Sequence, residues 1–437
     1  MNLLKIEDNS IVNKESFSDV RNLVKRIADK TLEQLEKEGV FIFPNTLKDA
    51  EDITKEQMVL QSFNESFRSS NVMGFLGYGK ERLTIESRFS AGRDDFFFQY
   101  LLEKVLGVPN ILEFNTDANQ DNRLYNLLLF LFPHYLRLAL RKGIFKTYVH
   151  NQYNDQKVKG TIDIVRHITK NSPFVGNVAY NRREFSYDNY LMELIRHTIE
   201  FIKRKPYGNN LLRKAKDETG SVVDVTGKYE YYNRTNVIIE NKKTPVRHAY
   251  YNEYRALQRL CIMILQHEKH KFGSGVSQIH GILFDGAWLF EEYINSLIKH
   301  IFHHPKNRGN EGAQRLFSGN AGLIYPDFIG RDKVNRVIAD AKYKRRENIG
   351  NKDYLQVLAY MFRFDAKQGY YIYPEEEEIE PQELMLNQGS TYERNVSARS
   401  DVSVVKLGLH IPPSIGGYAD FSEKMKISEQ ELISIFT

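Results

Sequence analysis

Asp327, Asp340 and Lys342 are the residues of this chain whose types and spacing point most directly to chemistry. Asp327 lies in Tyr325-Pro326-Asp327-Phe328-Ile329. The other two lie in Val337-Ile338-Ala339-Asp340-Ala341-Lys342-Tyr343-Lys344. Both segments read as strands, and residues 330–333 between them read as a hairpin turn. Two carboxylates and one ammonium then meet at one end of a small sheet. Hydrolysis of a phosphodiester uses that set. Carboxylates bind Mg²⁺, the metal polarises the phosphate and acidifies a water, and a lysine steadies the attacking oxygen or the developing charge. The apolar run Val337-Ile338-Ala339 suits a strand covered on both faces, where Asp and Lys are seldom buried unless paired. The alternative is a surface hairpin with a salt bridge, which is what a lone Asp-x-Lys would signify.

Two flanking elements must position this set. Upstream, residues 288–302 carry Phe290, Ile294, Leu297, Ile298 and Ile301 at helical spacing. Glu291 falls on the stripe of Ile294 and Ile298, so it is the acid expected to face inward and complete a metal site. Glu292 falls beside Asn295 and Lys299 on the polar side. Downstream, residues 353–364 read as a helix with Gln356 and Tyr360 four apart on one face. A Gln amide and a Tyr hydroxyl there can hold the lysine or a substrate phosphate.

In chain order this gives helix Glu, strand Pro-Asp, strand Asp-x-Lys, helix Gln-x-x-x-Tyr. That order resembles the PD-(D/E)xK nuclease superfamily in its RecB-like branch. Leu289-Phe290-Glu291-Glu292-Tyr293-Ile294 is similar to the segment before the nuclease core of McrC proteins. Asp340 to Lys344 and the Gln356 to Tyr360 helix match that family too. So do Val158-Lys159-Gly160-Thr161-Ile162-Asp163 and Glu184-Phe185-Ser186-Tyr187-Asp188-Asn189. The resemblance covers roughly residues 70–410 and extends to LlaJI-type restriction subunits. An N-terminal extension and an insertion at about residues 374–401 depart from it. The resemblance implies an endonuclease subunit of a restriction system acting on double-stranded DNA, with a McrB-like AAA+ GTPase ring as partner. It implies metal ligation by Glu291, Asp327, Asp340 and the Ala341 carbonyl, with Mg²⁺ as the metal and Mn²⁺ as a substitute. Lys342 would act on the water, supported by Gln356 and Tyr360. Two other readings stay open: a non-catalytic subunit that docks on the ring and stimulates its GTPase, and a stand-alone RecB-like nuclease.

The chain has 437 residues, 41% of them hydrophobic, enough for two or three domains with cores of their own. No apolar run approaches the roughly 20 residues that span a bilayer, and no basic segment leads into an apolar one at the start. A cytoplasmic protein without membrane association is expected. The single cysteine, Cys261, lies among Leu260, Ile262 and Met263 and reads as core packing; it excludes an internal disulfide. The net charge of +5 permits DNA binding without requiring it. Residues 306–347 hold ten Lys/Arg against five Asp/Glu, two of which are the proposed metal ligands. A basic surface around an acidic pocket suits a polyanion.

The expected fold class is multi-domain α/β. Residues 1–175 form an N-terminal α+β domain with β-hairpins, the candidate for docking the AAA+ partner. Residues 176–275 form a helical connecting region. Residues 276–437 form a restriction-endonuclease-like αβββαβ core. Within the first domain, residues 16–38 read as one helix with Ser16 or Ser18 as cap and Gly39 as stop. Residues 72–89 read as a hairpin whose tip carries Gly77, Gly79, Lys80 and Arg82; this is either an ordinary tight turn or a finger that reaches the partner's nucleotide. Gly74, Gly79 and Lys80 have the spacing of a phosphate-binding loop, but Glu81 stands where Ser or Thr is needed and a strand pattern follows, so no nucleotide is expected on this chain. His303-His304 and the pair His267 and His270 lack the spacing of a zinc hydrolase and read as solvated. The acidic run at residues 375–380 reads as a solvated loop.

Overall fold

The computed structural model describes residues 2–43, 56–90, 95–106, 120–205, 207–270, 279–305, 312–319, 321–389, 396–413 and 415–436, with the side chains of residues 120–127 and 267–270 excepted. The His267 and His270 side chains, Lys306 and residues 390–395 of the insertion therefore lie outside the described residues. The chain forms two compact units, Met1–Asn110 with Val276–Thr437, and Ile111–Gly275. This division departs from the expected boundary at residue 175. Thr147–Asp155 pairs with Val178–Ser186 across residue 175, and the strand His280–Asp285 enters the N-terminal sheet. There it pairs in parallel with Val40–Phe43 and antiparallel with Val72–Tyr78.

That sheet has five strands, in the order Asn2–Glu7, Glu81–Glu86, Val72–Tyr78, His280–Asp285, Val40–Phe43. Val40–Phe43 is buried throughout and Val72–Tyr78 nearly so, as strands covered on both faces must be. Gly74 has φ +138°, and a Cβ there would lie 2.1 Å from the Ile282 carbonyl oxygen, so only glycine admits the neighbouring strand at this distance. Ile6, Leu23, Ile27, Leu35, Ile42, Leu76, Ile85 and Leu283 join in one apolar cluster. The single helix expected over residues 16–38 is instead a 3₁₀ turn, Lys14–Val20, and two short helices, Arg21–Ile27 and Leu32–Lys37. Asp29 interrupts it with φ 58°, held by hydrogen bonds from Ser62 N and Oγ to its carboxylate. Thr31 then opens a new helix through a capping box with Gln34. The first cap is Asn13 rather than either serine. Gly39, at φ 112°, follows the second helix as expected.

The same unit holds a six-stranded sheet in the order Phe302–His303, Phe328–Gly330, Val337–Ala341, Gln368–Glu375, Ser397–His410, Gln382–Gln388. Phe328–Gly330 runs antiparallel to Val337–Ala341, which runs parallel to Gln368–Glu375. Parallel neighbours need a crossover, and the helix Asn351–Phe364 supplies it. Val357, Tyr360 and Met361 of that helix join Ile338, Tyr371, Tyr373 and Val404 in a second core cluster. The helix Gly286–Ile298, capped by Asp285, packs on Val337–Ala341. It ends four residues short of expectation because Phe302 already belongs to the sheet. The strand bearing Asp327 is also shorter than expected: pairing begins at Phe328, since Pro326 has no N–H to give a ladder. The connection to the next strand spans residues 331–336 rather than a tight turn.

The second unit combines the helices Gln120–Leu140, Tyr190–Lys203, Lys216–Val225, Arg234–Lys243 and Asn252–His270 with a three-stranded sheet. The sheet order is Thr147–Asp155, Val178–Ser186, Thr161–Ile162. The region expected to be helical from residue 176 thus opens with a nine-residue strand. Gly160 makes the expected bend, where a Cβ would lie 2.1 Å from the Asn181 carbonyl oxygen. Cys261 is buried in the helical core. Among the described residues no helix is long and apolar enough to cross a membrane.

Candidate active site

Asp340 is the last buried residue of Val337–Ala341, and Lys342 continues the ladder by donating its N–H to Ile372 O at 2.8 Å. Residues two apart on an extended chain point the same way. Lys342 Nζ accordingly lies 2.6 Å from Asp340 Oδ2, with the carboxylate side chain 1% exposed and the lysine 14%. The ammonium also donates to Gln356 Oε1 at 3.3 Å. Gln356 Nε2 donates to Tyr360 Oη at 2.6 Å, and Tyr360 donates to the Tyr325 carbonyl at 3.1 Å. A chain of hydrogen bonds therefore runs from Lys342 back to the segment that carries Asp327. Asp327 closes the circuit, since its Oδ2 accepts the Ala341 N–H at 2.9 Å. Five residues singled out from sequence, Asp327, Asp340, Lys342, Gln356 and Tyr360, are thus brought together.

Glu291 approaches from the helix Gly286–Ile298, and its charge acts on Asp327. Glu291 and Glu292 are 27% and 21% exposed, so the helix does not turn one acid inward and the other out. His304 explains this. Its Nε2 lies 3.7 Å from Glu291 Oε1 and 4.0 Å from Glu292 Oε1. Its Nδ1–H donates to the Asp327 carbonyl at 2.8 Å, and its ring stacks on Phe328. Read as solvated from sequence, His304 is 5% exposed and borders the site. Asp353 was missed as well. It accepts from Gly350 N and Lys344 Nζ and lies 3.9 Å from Lys342 Nζ. Its signal was a Gly three residues before an Asp at the start of a helical pattern.

Burial first, then the charges of Asp340 and Glu291, hold the Asp327 carboxyl well above the usual carboxylate range, against the opposing pull of Lys342 and the Ala341 N–H. Burial also pushes the Tyr360 hydroxyl up, so it stays a neutral donor. For Asp353 burial acts upward, but Lys344 and the Gly350 N–H outweigh it and hold the carboxyl below its ordinary value. Among the described residues no three His, Cys, Asp or Glu side chains converge as a ready metal cage. Arg345, three residues after Lys342, is exposed.

The hairpin of Val72–Tyr78 and Glu81–Glu86 lies inside the five-stranded sheet, with Gly79 and Lys80 exposed at its turn. Arg82 Nη1 donates to the carbonyls of Gly79 and Glu81. Residues 74–80 are strand and turn with no helix after them.

The family model of the McrBC 5-methylcytosine restriction system component matches residues 67–374, a span that contains every residue just described around the site. The fold is similar to that of a chain in the refined half-complex from the tetradecameric assembly of Thermococcus gammatolerans McrB AAA+ hexamers with bound McrC. That likeness covers 99% of this chain and 100% of the other, at TM-score 0.50 and 15% identity. The cryo-EM structure of the Thermococcus gammatolerans McrBC complex aligns over 68% of this chain and 87% of its own, at TM-score 0.33 and 17% identity. No curated protein matches. The chain belongs to the McrBC 5-methylcytosine restriction system component family, as a McrC-like member.

Proposed function

We propose that this chain is the Mg²⁺-dependent DNA endonuclease subunit of a McrBC-like restriction system, with a PD-(D/E)xK core and a McrB-like AAA+ GTPase as its activator. The observation that carries this reading is the Asp340–Lys342 pair, joined to Asp327 through Ala341 N and to Tyr325 through Gln356 and Tyr360. The donor set suits a divalent cation, because the charges of Asp340 and Glu291 add to the cost of ionising the buried Asp327. Glu291, Asp327, Asp340 and the Ala341 carbonyl would hold Mg²⁺, or Mn²⁺ in its place. When bound, the ion supplies charge stabilisation at the phosphate and an acidified water. Lys342 orients the attacking oxygen and offsets the charge that develops on the phosphate. Gln356, fixed by Tyr360, sets the direction of the ammonium. The exposed Arg345, close to Lys342 in the chain, offers a positive charge to double-stranded DNA.

Docking on the AAA+ ring falls to residues 1–175 in this reading. Within that range, the part that belongs to the second unit carries the exposed apolar side chains Ile164, Val165, Ile168, Phe174 and Val175, which make it the candidate contact. The hairpin tip at Gly77, Gly79, Lys80 and Arg82 reads better as a tight turn within a sheet. No nucleotide site is proposed on this chain. The test is cleavage of methylated and unmethylated DNA by the full chain with its McrB-like partner, GTP and Mg²⁺, alongside Asp340→Ala. Loss of cleavage with intact stimulation of the partner's GTPase supports the reading. Undiminished cleavage by Asp340→Ala refutes it and leaves the docking subunit as the function.

A further inference from the structure

Tyr343 follows Lys342 and is almost completely buried. Its hydroxyl lies 2.7 Å from Ser87 Oγ and 3.3 Å from Met73 Sδ. Its ring meets Phe89 edge-on at 5.0 Å and Phe290 at 6.0 Å. The Arg88 guanidinium lies 4.9 Å from the ring centre. Arg88 is itself held twice by Asp8, through its backbone N–H to Oδ1 and through Nη2 to Oδ2, each at 2.7 Å. Asp8 is buried and directly follows the first strand, Asn2–Glu7. Gly286, the first residue of the Glu291 helix, faces the same ring: a Cβ there would lie 2.8 Å from Tyr343 Cε1.

One side chain therefore touches the N-terminal sheet and the helix bearing Glu291, while its backbone adjoins Lys342. Apolar packing alone would be met by phenylalanine. The hydroxyl adds a bond to Ser87, whose Oγ also accepts the Phe89 N–H at 3.2 Å and is thereby fixed. The contacts at ring and hydroxyl set both the depth and the rotation of Tyr343. They thereby fix where the chain leaves the strand at Lys342.

We propose that Tyr343 is a positioning residue for the Asp340–Lys342 pair, seated by Ser87 and Arg88, so that the N-terminal sheet is part of the catalytic apparatus. The inference rests on the nuclease reading above. A displacement of about 1 Å at a reacting group costs on the order of 10²-fold in rate. Losing one hydrogen bond from the seat should shift the ammonium by less.

The experiment compares the full chain with Tyr343→Phe, Ser87→Ala, the double variant and Asp340→Ala, each with the McrB-like partner, GTP and Mg²⁺. It reads kcat and KM for DNA, with the melting temperature of each variant. Tyr343→Phe and Ser87→Ala are expected to lower kcat by about 10-fold, a step of about 1.4 kcal/mol. KM should hold, and the double variant should be no worse than either single, because both remove one bond. If Tyr343→Phe fails to fold, Ser87→Ala decides alone. A Ser87→Ala or Tyr343→Phe enzyme that cuts at the wild-type rate overturns the inference, as does a loss confined to KM. Where Asp340→Ala is inactive in that case, the nuclease reading stands. Wild-type cleavage by Asp340→Ala overturns both.

Discussion

Lys342 Nζ lies 2.6 Å from Asp340 Oδ2, and the pair is sealed from solvent on the carboxylate side. A buried ion pair adds little to stability by itself, because desolvation offsets most of the attraction. Its location between Asp327 and Gln356 suits the proposed chemistry.

Asp340→Ala and Lys342→Ala should each lower DNA cleavage by at least about 10²- to 10³-fold, since the charge stabilisation lost is several kcal/mol. Both proteins should remain folded. Gln356 and Asp353 stay beside Lys342 when Asp340 is removed. Circular dichroism and single-turnover cleavage check the two halves. An active Asp340→Ala protein would remove Asp340 from the site.

Tyr360→Phe deletes the acceptor of the Gln356 amide and the donor to the Tyr325 carbonyl. An unmet buried polar group costs about 1–3 kcal/mol. The expected result is a cleavage rate reduced by roughly 10-fold, with a lower melting temperature. Gln356→Ala should match it, because the two side chains act in series. Full activity in both would mean that Lys342 does not depend on this chain of bonds.

The exposed cluster of the second unit gives a separate prediction. Ile164 is 66% exposed and Val165 77%, so Ile164→Asp with Val165→Asp should change folding stability by roughly 0.5 kcal/mol or less per site. The same protein should lose stimulation of the partner's GTPase. Lys80→Ala with Arg82→Ala should retain it, since Arg82 is committed to its own turn. Pull-down and GTPase assays at equal protein concentration read both. The docking assignment fails if the Asp variants stimulate normally.

His197 sets an acid limit on the second unit. It is buried in the helix Tyr190–Lys203, and neither ring nitrogen has a hydrogen-bond partner among the described residues. Burial first, then Arg234 and Arg196, hold its pKa down to about 4, against an ordinary value of 6.5. Between those values the unfolded chain takes up a proton that the folded chain refuses. The stability contribution is therefore complete above about pH 6.5 and is lost as pH falls towards 4, by at most about 1.4 kcal/mol per pH unit. Urea unfolding of His197→Leu between pH 4.5 and 7.5 should show a flatter slope than wild type. Parallel slopes would assign the acid sensitivity elsewhere.

The juxtaposition of the candidate residues was legible in the sequence because its spacings are local. Asp340 and Lys342 share a strand face, and Gln356 and Tyr360 share a helix face, whatever the rest of the chain does. His304 and Asp353 were not legible as site residues, since their contacts depend on which elements pack beside them. The helix expected over residues 16–38 failed at Asp29, where a side-chain bond to Ser62 holds a left-handed residue that apolar periodicity does not register. The compact units do not divide at residue 175, because Thr147–Asp155 pairs with Val178–Ser186 across it, and such pairing leaves no local signature.

The pairing of His280–Asp285 into the N-terminal sheet governs the order in which the protein can form on the ribosome. Val40–Phe43 and Val72–Tyr78 leave the exit tunnel with the place between them vacant, and their partner His280–Asp285 is made roughly two hundred residues later. At about 5–20 residues per second the wait is on the order of 10–40 s. Throughout it, two apolar strands present open edges to solvent or to other nascent chains. Biogenesis of this chain thus passes through an obligatory window of vulnerability, in which a holdase has a clear substrate and a truncated transcript yields an incomplete sheet.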